Sequence, residues 1–230
     1  MKHKKFWIGP MVLMLLAVVA CVCTGSGITL DDGTNGGITK PTEVPALLKD
    51  DFSSSSSGWT TGESDNASVD YVADEYAIKV ISTDWFAWGN PGESFSNVHV
   101  EVTARNVGNT DDTSFGVMCN YDESVDSFYY VAIDTQGYYA ISRTDPGNVD
   151  TFLTGDGEWV QSDDITKDTS SYQVGMDCGN GTITLYVDGK QIASVEDSTY
   201  TTGDVGLLVW TGEKGEAEIH FDDVVVTALK

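Results

Sequence analysis

The chain of 230 residues carries 36 Asp and Glu against 12 Lys and Arg, a formal charge of −24. Beyond the first five residues the basic side chains are scattered singly, so no cluster exists to meet a phosphate backbone, and nucleic acid is excluded as a partner. With 40% hydrophobic residues there is material for a packed core, and the acidity reads as a solvated surface with calcium or other cations as counterions.

At the N-terminus, Lys2, His3, Lys4 and Lys5 precede an apolar run over residues 6–22 that Gly9-Pro10 interrupts. The run is shorter than the roughly 20 residues of a comfortable spanning helix. It ends in Val18-Val19-Ala20-Cys21. A basic head, an apolar stretch and a small residue before cysteine make an export signal ending in a lipobox. Residues 1–20 are therefore expected to be cleaved, leaving acyl chains on Cys21 and a membrane-anchored lipoprotein on the outer face of a bacterial envelope. Val22 is too large to make Cys23 the modified residue. Cleavage removes Lys2, Lys4 and Lys5 and no acid, leaving nine basic against 36 acidic residues, a mature charge of −27. Residues 21–45, rich in Gly, Asp and Asn, read as a flexible linker. Residues 46–230 read as one domain.

Within that domain, short period-2 segments alternate with turn residues, and the 3.6 period of an amphipathic helix is missing. The chain is all-β. Val98, Val100, Val102 and Ala104 share one face, with His99, Glu101, Thr103 and Arg105 on the other. Phe115, Val117, Cys119 and Tyr121 form a second apolar face. Tyr172, Val174, Met176 and Cys178 form another, as do Ile183, Leu185 and Val187. Asn180-Gly181 and Asp188-Gly189 are tight hairpin turns, and Gln136-Gly137 joins a further pair of strands. The last strands cover residues 205–210 and 218–229. In the last one the apolar phase changes after Phe221, which places a bulge at Asp222-Asp223. Many short antiparallel strands must bury their faces against each other, and a two-sheet jelly-roll sandwich is the expected solution.

Cys119 and Cys178 both fall on inward phases of an exported chain, which favours a core disulfide, with two buried free thiols as the alternative. Only His99 and His220 remain in the mature chain, too few for a triad or a zinc site. Calcium prefers oxygen ligands on turns; Asp51 and Asp222 could approach each other if the terminal strands pair, which makes them candidates for a structural calcium site, with solvated rim acids as the alternative and no cofactor assigned. Aromatics are the better clue, because sugar C–H faces stack on flat rings. With Tyr129, Val131 and Ile133 on the core phase, Tyr130 and Tyr138 are left to face outward. Trp88 joins them as a ligand-binding candidate, although its phase, like that of Trp210, is ambiguous.

Asp50-Asp51-Phe52 with Gly58-Trp59, Phe115-Gly116-Val117-Met118-Cys119, Phe128-Tyr129-Tyr130, Leu185-Tyr186-Val187-Asp188-Gly189, Gly203-Asp204-Val205-Gly206-Leu207 and Phe221-Asp222-Asp223-Val224 together resemble the concanavalin A-like lectin/glucanase superfamily. More narrowly the chain is similar to the LamG-like and 3-keto-disaccharide hydrolase-like group of bacterial extracellular domains. The resemblance covers nearly all of residues 46–230 and implies a concanavalin A-like jelly roll. It also implies a non-catalytic module binding a polysaccharide or other envelope ligand, with a glycoside hydrolase and a structural interaction module as rivals. The Glu-x-Asp-x-x-Glu strand motif of family-16 glycoside hydrolases is missing; the nearest segment, Glu218 to Asp223, has His220 where that motif requires aspartate. No catalytic residue is assigned.

Overall fold

The computed structural model describes residues 44–108 and 111–229; the expected export signal, Cys21 and most of the expected linker lie outside them. From the N-terminal side come β1 (Ala46–Asp50), β2 (Gly62–Glu63), β3 (Ala67–Val72), β4 (Glu75–Val80) and β5 (Trp85–Gly89). Then follow β6 (Val98–Asn106), β7 (Thr113–Asp122), β8 (Ser127–Asp134), β9 (Tyr138–Asp145), β10 (Val149–Phe152) and β11 (Val160–Gln161). The remainder forms β12 (Tyr172–Gly179), β13 (Thr182–Val187), β14 (Lys190–Glu196), β15 (Asp204–Thr211) and β16 (Ala217–Ala228).

The larger sheet runs β14-β13-β12-β6-β16-β4-β3-β2, with β1 also paired to β16. The second runs β10-β9-β8-β7-β15-β5, with β11 also paired to β9. Strand β6 reads inward at Val98, Val100, Val102 and Ala104 and half-exposed between, the alternation its sequence requires. The core between the sheets takes Tyr172, Val174, Met176 and Cys178 from one side and Phe115, Val117, Tyr129, Val131 and Ile133 from the other. Asn180-Gly181 and Asp188-Gly189 both carry the two positive φ angles of a type I′ turn. The sheets are also joined covalently, by the Cys119–Cys178 disulfide between β7 and β12, with Cα atoms 6.5 Å apart.

Two bulges alter the faces. One lies between Asp222 and Val225 in the β16–β6 pairing, with Asp223 at φ 52°, where the change of apolar phase placed it. The other corrects the expected face of β7. Asn120 adopts φ 53° and the pairing with β8 shifts between Cys119 and Asp122, so Tyr121 leaves the core and joins a second apolar cluster with Phe86 and Tyr130. One extra residue in a period-2 strand moves everything beyond it to the opposite face.

Asp204, at the head of β15, is 8% exposed and holds the loop after β5. Its carboxylate accepts from Asn90 Nδ2 at 2.5 Å, the Gly92 amide at 2.8 Å and the Val205 amide at 2.8 Å. Gly89, which opens that loop, has no space for a side chain, because a Cβ there would run into the Tyr76 hydroxyl.

Replacing both Cys119 and Cys178 by alanine should cost about 2–4 kcal/mol, since the bridge closes a 59-residue separation; urea unfolding of the two forms measures it. Burial pushes the Asp204 carboxyl up to about 6 despite the hydrogen bonds that lower it. The folded state thus binds a proton more tightly than the unfolded chain, and this contribution to stability is lost as pH rises from about 4 through 6, by up to about 3 kcal/mol. Asp197 acts oppositely: against burial that raises it, hydrogen bonds from Thr199 and Tyr129 and the Arg143 charge hold it at about 2, so its contribution is present above about 4 and lost below. The urea midpoint should accordingly peak near pH 4–5, and Asp204→Asn should flatten the slope between pH 4 and 6.

Candidate functional site

The second sheet is apolar on both faces. Along β5, Trp85 and Ala87 enter the main core while Phe86 and Trp88 point away from it; along β15, Val205, Leu207 and Val209 point in, while Leu208 and Trp210 point away. The outward side chains form a cluster of their own: Phe86 lies 5.9 Å from Phe128 in a stacked pair and 5.7 Å from Tyr130, and Trp88 packs edge-on against Tyr121 at 6.0 Å.

A trough crosses this face because one row of positions is nearly empty of side chain. Leu208 pairs with Trp88 and with Gly116, Gly116 with Ala132, and Ala132 with Ala140. The row therefore drops from large residues on β5 and β15 to small ones on β7, β8 and β9. The flanking rows rise at Trp210 with Phe86 on one side, before dropping to Ser114 on β7, and at Met118 with Tyr130 on the other.

The remaining wall comes from residues 149–161. Strand β9 pairs β10 along its C-terminal half and β11 along its N-terminal half. The connection between β10 and β11 turns at Gly155–Gly157, where all three residues have positive φ. The Leu153 amide donates to the Ile141 carbonyl at 2.8 Å, and the Ile141 amide to Thr154 Oγ1 at 3.1 Å, so the flap is fastened to the sheet. It sets Trp159 edge-on to Phe152 at 6.1 Å.

The result is a groove of about 310 Å³ walled by Phe86, Tyr130, Phe152, Trp159 and Trp210. Ser114, Ala132 and Leu208, all at most 3% exposed, make its floor. Asp150 and Glu158 line one side. Asp150 accepts from Thr144 Oγ1 at 2.6 Å and from the Tyr130 hydroxyl at 3.2 Å, and burial pushes that phenol far above its ordinary pKa. The Ser114 hydroxyl is buried in the floor with no protein hydrogen-bond partner. An orphaned polar atom costs about 1–3 kcal/mol where it stays dry. Ser114 is among the residues that line the groove.

Of the residues named from sequence, Tyr130 is on the outward phase but only 6% exposed, roofed by the aromatic cluster. Trp88 and Tyr138 share this face at opposite ends of the trough, on β5 and β9; Tyr138 is 37% exposed. Four strand spacings separate β5 from β9, about 19 Å. Phe152 and Trp159 escape period-2 reading because they sit on the flap, and Ser114 because a lone serine carries no signal. The histidines stand on the outer face of the larger sheet, away from the groove. His99 Nδ1 lies 2.6 Å from Asp177 Oδ1, and His220 Nδ1 2.7 Å from Glu75 Oε2.

Asp51 and Asp222 are near enough for Asp51 to raise the Asp222 carboxyl, after burial and the charges of Asp223 and Glu75. Asp51 itself is lowered by the Ser53 hydroxyl and amide. Among the described residues, no three His, Cys, Asp or Glu side chains gather into a metal-binding group. Strands β7, β8 and β15 direct no carboxylate into the groove: Asp134 is turned to the hairpin, accepting from the Gln136 and Tyr138 amides at 2.9 and 2.8 Å.

No protein-family model and no curated protein matches this sequence. Solved structures do. The carbohydrate-binding module CBM66 from Bacillus subtilis is 16% identical with a TM-score of 0.59, over 74% of this chain and 96% of that one. A Bacillus licheniformis beta-glucanase is 12% identical with a TM-score of 0.59, over 82% and 100%. A Bacillus subtilis protein of unknown function with a galectin-like fold is 12% identical with a TM-score of 0.60, over 80% and 97%. At such identities the likeness is one of fold, a concanavalin A-like jelly-roll sandwich of two antiparallel sheets.

Proposed function

We propose that this domain is a non-catalytic glycan-binding module, held at the outer face of the cell envelope by lipid on Cys21. The observation that carries the reading is the aromatic groove with an unsatisfied hydroxyl in its floor. Rings supply flat apolar surface for sugar C–H faces, and a few buried polar groups fix orientation. The trough between Trp88 and Tyr138 has the length of several sugar rings, so both serve the ends of a longer chain. A structural neighbour described as a carbohydrate-binding module fits the same reading.

A glycoside hydrolase, the rival reading with the hydrolase-like group, draws on Asp150 and Glu158 lining one groove. Such chemistry needs an acid and a second carboxylate about 5–10 Å apart. Asp150 is occupied by Thr144 and Tyr130, and Glu158 is exposed on the flap. Release of new reducing ends from a bound polysaccharide, lost in Asp150→Asn, would transfer the assignment to the hydrolase.

For the binding test, the chain without residues 1–21 keeps all strands of both sheets. On a glycan array it should be retained, and Trp159→Ala or Trp210→Ala should each weaken retention about tenfold. Trp88→Ala and Tyr138→Ala should weaken long oligosaccharides and leave short ones unchanged. Ser114→Ala separates binding from folding: affinity should fall about two- to tenfold, while unfolding stability holds or rises as an unpaired buried hydroxyl disappears. Retention of no glycan would sink the reading.

The tether has its own check. Mass spectrometry of the mature protein should find a diacylglyceryl cysteine at residue 21, and an intact Met1 would overturn it.

A further inference from the structure

The outer face of the larger sheet, on the other side of the sandwich from the groove, carries a polar arrangement that glycan binding does not use. Asp177 on β12 pairs in register with His99 on β6, and Gly175, the next outward position on β12, pairs with Glu101. The glycine leaves room for an imidazole to lie along the sheet. A Cβ at Gly175 would come 3.3 Å from His99 Cε1 and 3.6 Å from its Nε2. The ring is also held from its far side, because Nδ1 lies 2.6 Å from Asp177 Oδ1 and Tyr186 packs edge-on at 5.7 Å. The Tyr186 hydroxyl in turn donates to Asp177 Oδ2 at 2.8 Å. This leaves Nε2 with Glu101 Oε2 beside it, 3.8 Å away.

We propose that His99 Nε2 and Glu101 Oε2 form an open half-site for a divalent transition-metal ion, zinc above all, with water completing the coordination. The spacing fits. Zinc takes imidazole nitrogen at about 2.0–2.1 Å and carboxylate oxygen at about 2.0–2.2 Å, which sets two ligands of a tetrahedron about 3.4 Å apart. At 3.8 Å the pair has to close only slightly, and it is too far apart for a direct hydrogen bond that would occupy the nitrogen.

Each ligand also has a partner that orients it. A carboxylate on the far ring nitrogen is the usual companion of a metal-bound imidazole, since it fixes the tautomer whose other nitrogen offers a lone pair. Asp177 stands in that place. Gln173 Nε2 donates to Glu101 Oε1 at 2.9 Å, so that carboxylate is steadied through the oxygen that does not face the histidine. The side chains of His99 and Glu101 are 28% and 32% exposed, within reach of an ion from solution. His220 supplies the contrast: carboxylates meet both its nitrogens, Glu75 at 2.7 Å and Glu218 at 3.0 Å, and none is left for a metal.

Two protein ligands are fewer than the three or four of catalytic and structural zinc sites, and among the described residues no third metal-binding side chain joins them. The site therefore fills only when the ion is supplied. Its imidazole favours zinc, copper or nickel over calcium and magnesium, which prefer oxygen alone.

Calorimetric titration with zinc chloride tests this, using the untagged chain without residues 1–21 and with Cys23→Ser, so that no thiol competes. One ion should bind per chain. His99→Ala should abolish uptake, while Glu101→Gln and Asp177→Asn should each weaken it about tenfold or more, the second through loss of the orienting carboxylate. His220→Gln should leave it unchanged. In nitrogen NMR, zinc should shift Nε2 of His99 rather than Nδ1, and excess calcium should not reverse the shift. Should Asp177→Asn fail to fold, Glu101→Gln, at a partly exposed position, still decides the outcome. Absence of saturable uptake overturns the proposal and leaves His99 and Glu101 as a plain ion pair. Uptake that survives His99→Ala, or that calcium displaces, assigns the ion to the acidic surface and overturns it equally. Neither result bears on glycan binding, which rests on the other sheet.

Discussion

The structure depends on a sheet with two apolar faces. A strand in a two-layer sandwich buries one face and wets the other, and the larger sheet obeys this: the outer face of β6 carries His99, Glu101, Thr103 and Arg105, with His99 paired to Asp177 and Arg105 to Glu75. The second sheet does not. Its outer face needs cover as much as its inner one, and the cover is partial. The β10–β11 flap and the aromatic rings close over Tyr130 and Phe128, but the low row at Gly116, Ala132 and Ala140 remains as a trough.

That arrangement requires firm anchoring of the sheet from behind. The Cys119–Cys178 bridge ties β7, which carries Gly116 and Ser114, to the larger sheet. At the far edge, Arg143 and Tyr129 gather Asp145, Asp197 and the Tyr200 amide into one network, with Tyr129 donating to Asp197 at 2.5 Å and Tyr200 donating to Asp145 at 2.7 Å. This network fixes the crossover from β14 in one sheet to β15 in the other. Asp204 fixes the next crossover by capturing the loop after β5. Between these points the strands that form the groove have little freedom to shift, so a ligand meets rings already in place, and ordering costs on binding are small.

Much of this is legible in the sequence because its rules are local. The phase of β6, β12 and β13, both I′ turns and the bulge at Asp222-Asp223 follow from period 2 and from residues that tolerate positive φ. The disulfide follows from two cysteines on inward phases. Tyr121 does not, because a left-handed Asn120 inserts one residue into the pairing, and nothing in the composition of β7 marks it. Trp88 and Trp210 are ambiguous until their strands are known to be neighbours, since an outward aromatic is explained only by other outward aromatics beside it. The groove is harder still. Its flap lies outside regular alternation, its floor is defined by absent side chains, and Tyr130 is covered by rings such as Phe86 and Phe128 from other strands. Sequence reading put Tyr130 and Tyr138 on the outward phase, where the structure has them, and gave no sign of the groove or its flap.

A shallow groove of about 310 Å³ with one orphan hydroxyl and two carboxylates offers a single sugar unit few contacts, and the binding of one such unit is correspondingly weak. The proposed setting compensates in two ways. A trough spanning four strand spacings lets Trp88 and Tyr138 engage units of the same chain beyond the groove, so their contributions act at high effective concentration once the central unit is seated. A lipid on Cys21 and the linker behind it would hold the domain within tens of ångströms of an envelope polymer, where rebinding outpaces escape. Weak, repeated contact of this kind suits retention at a surface, and it makes length of the ligand as decisive for affinity as the identity of its sugars.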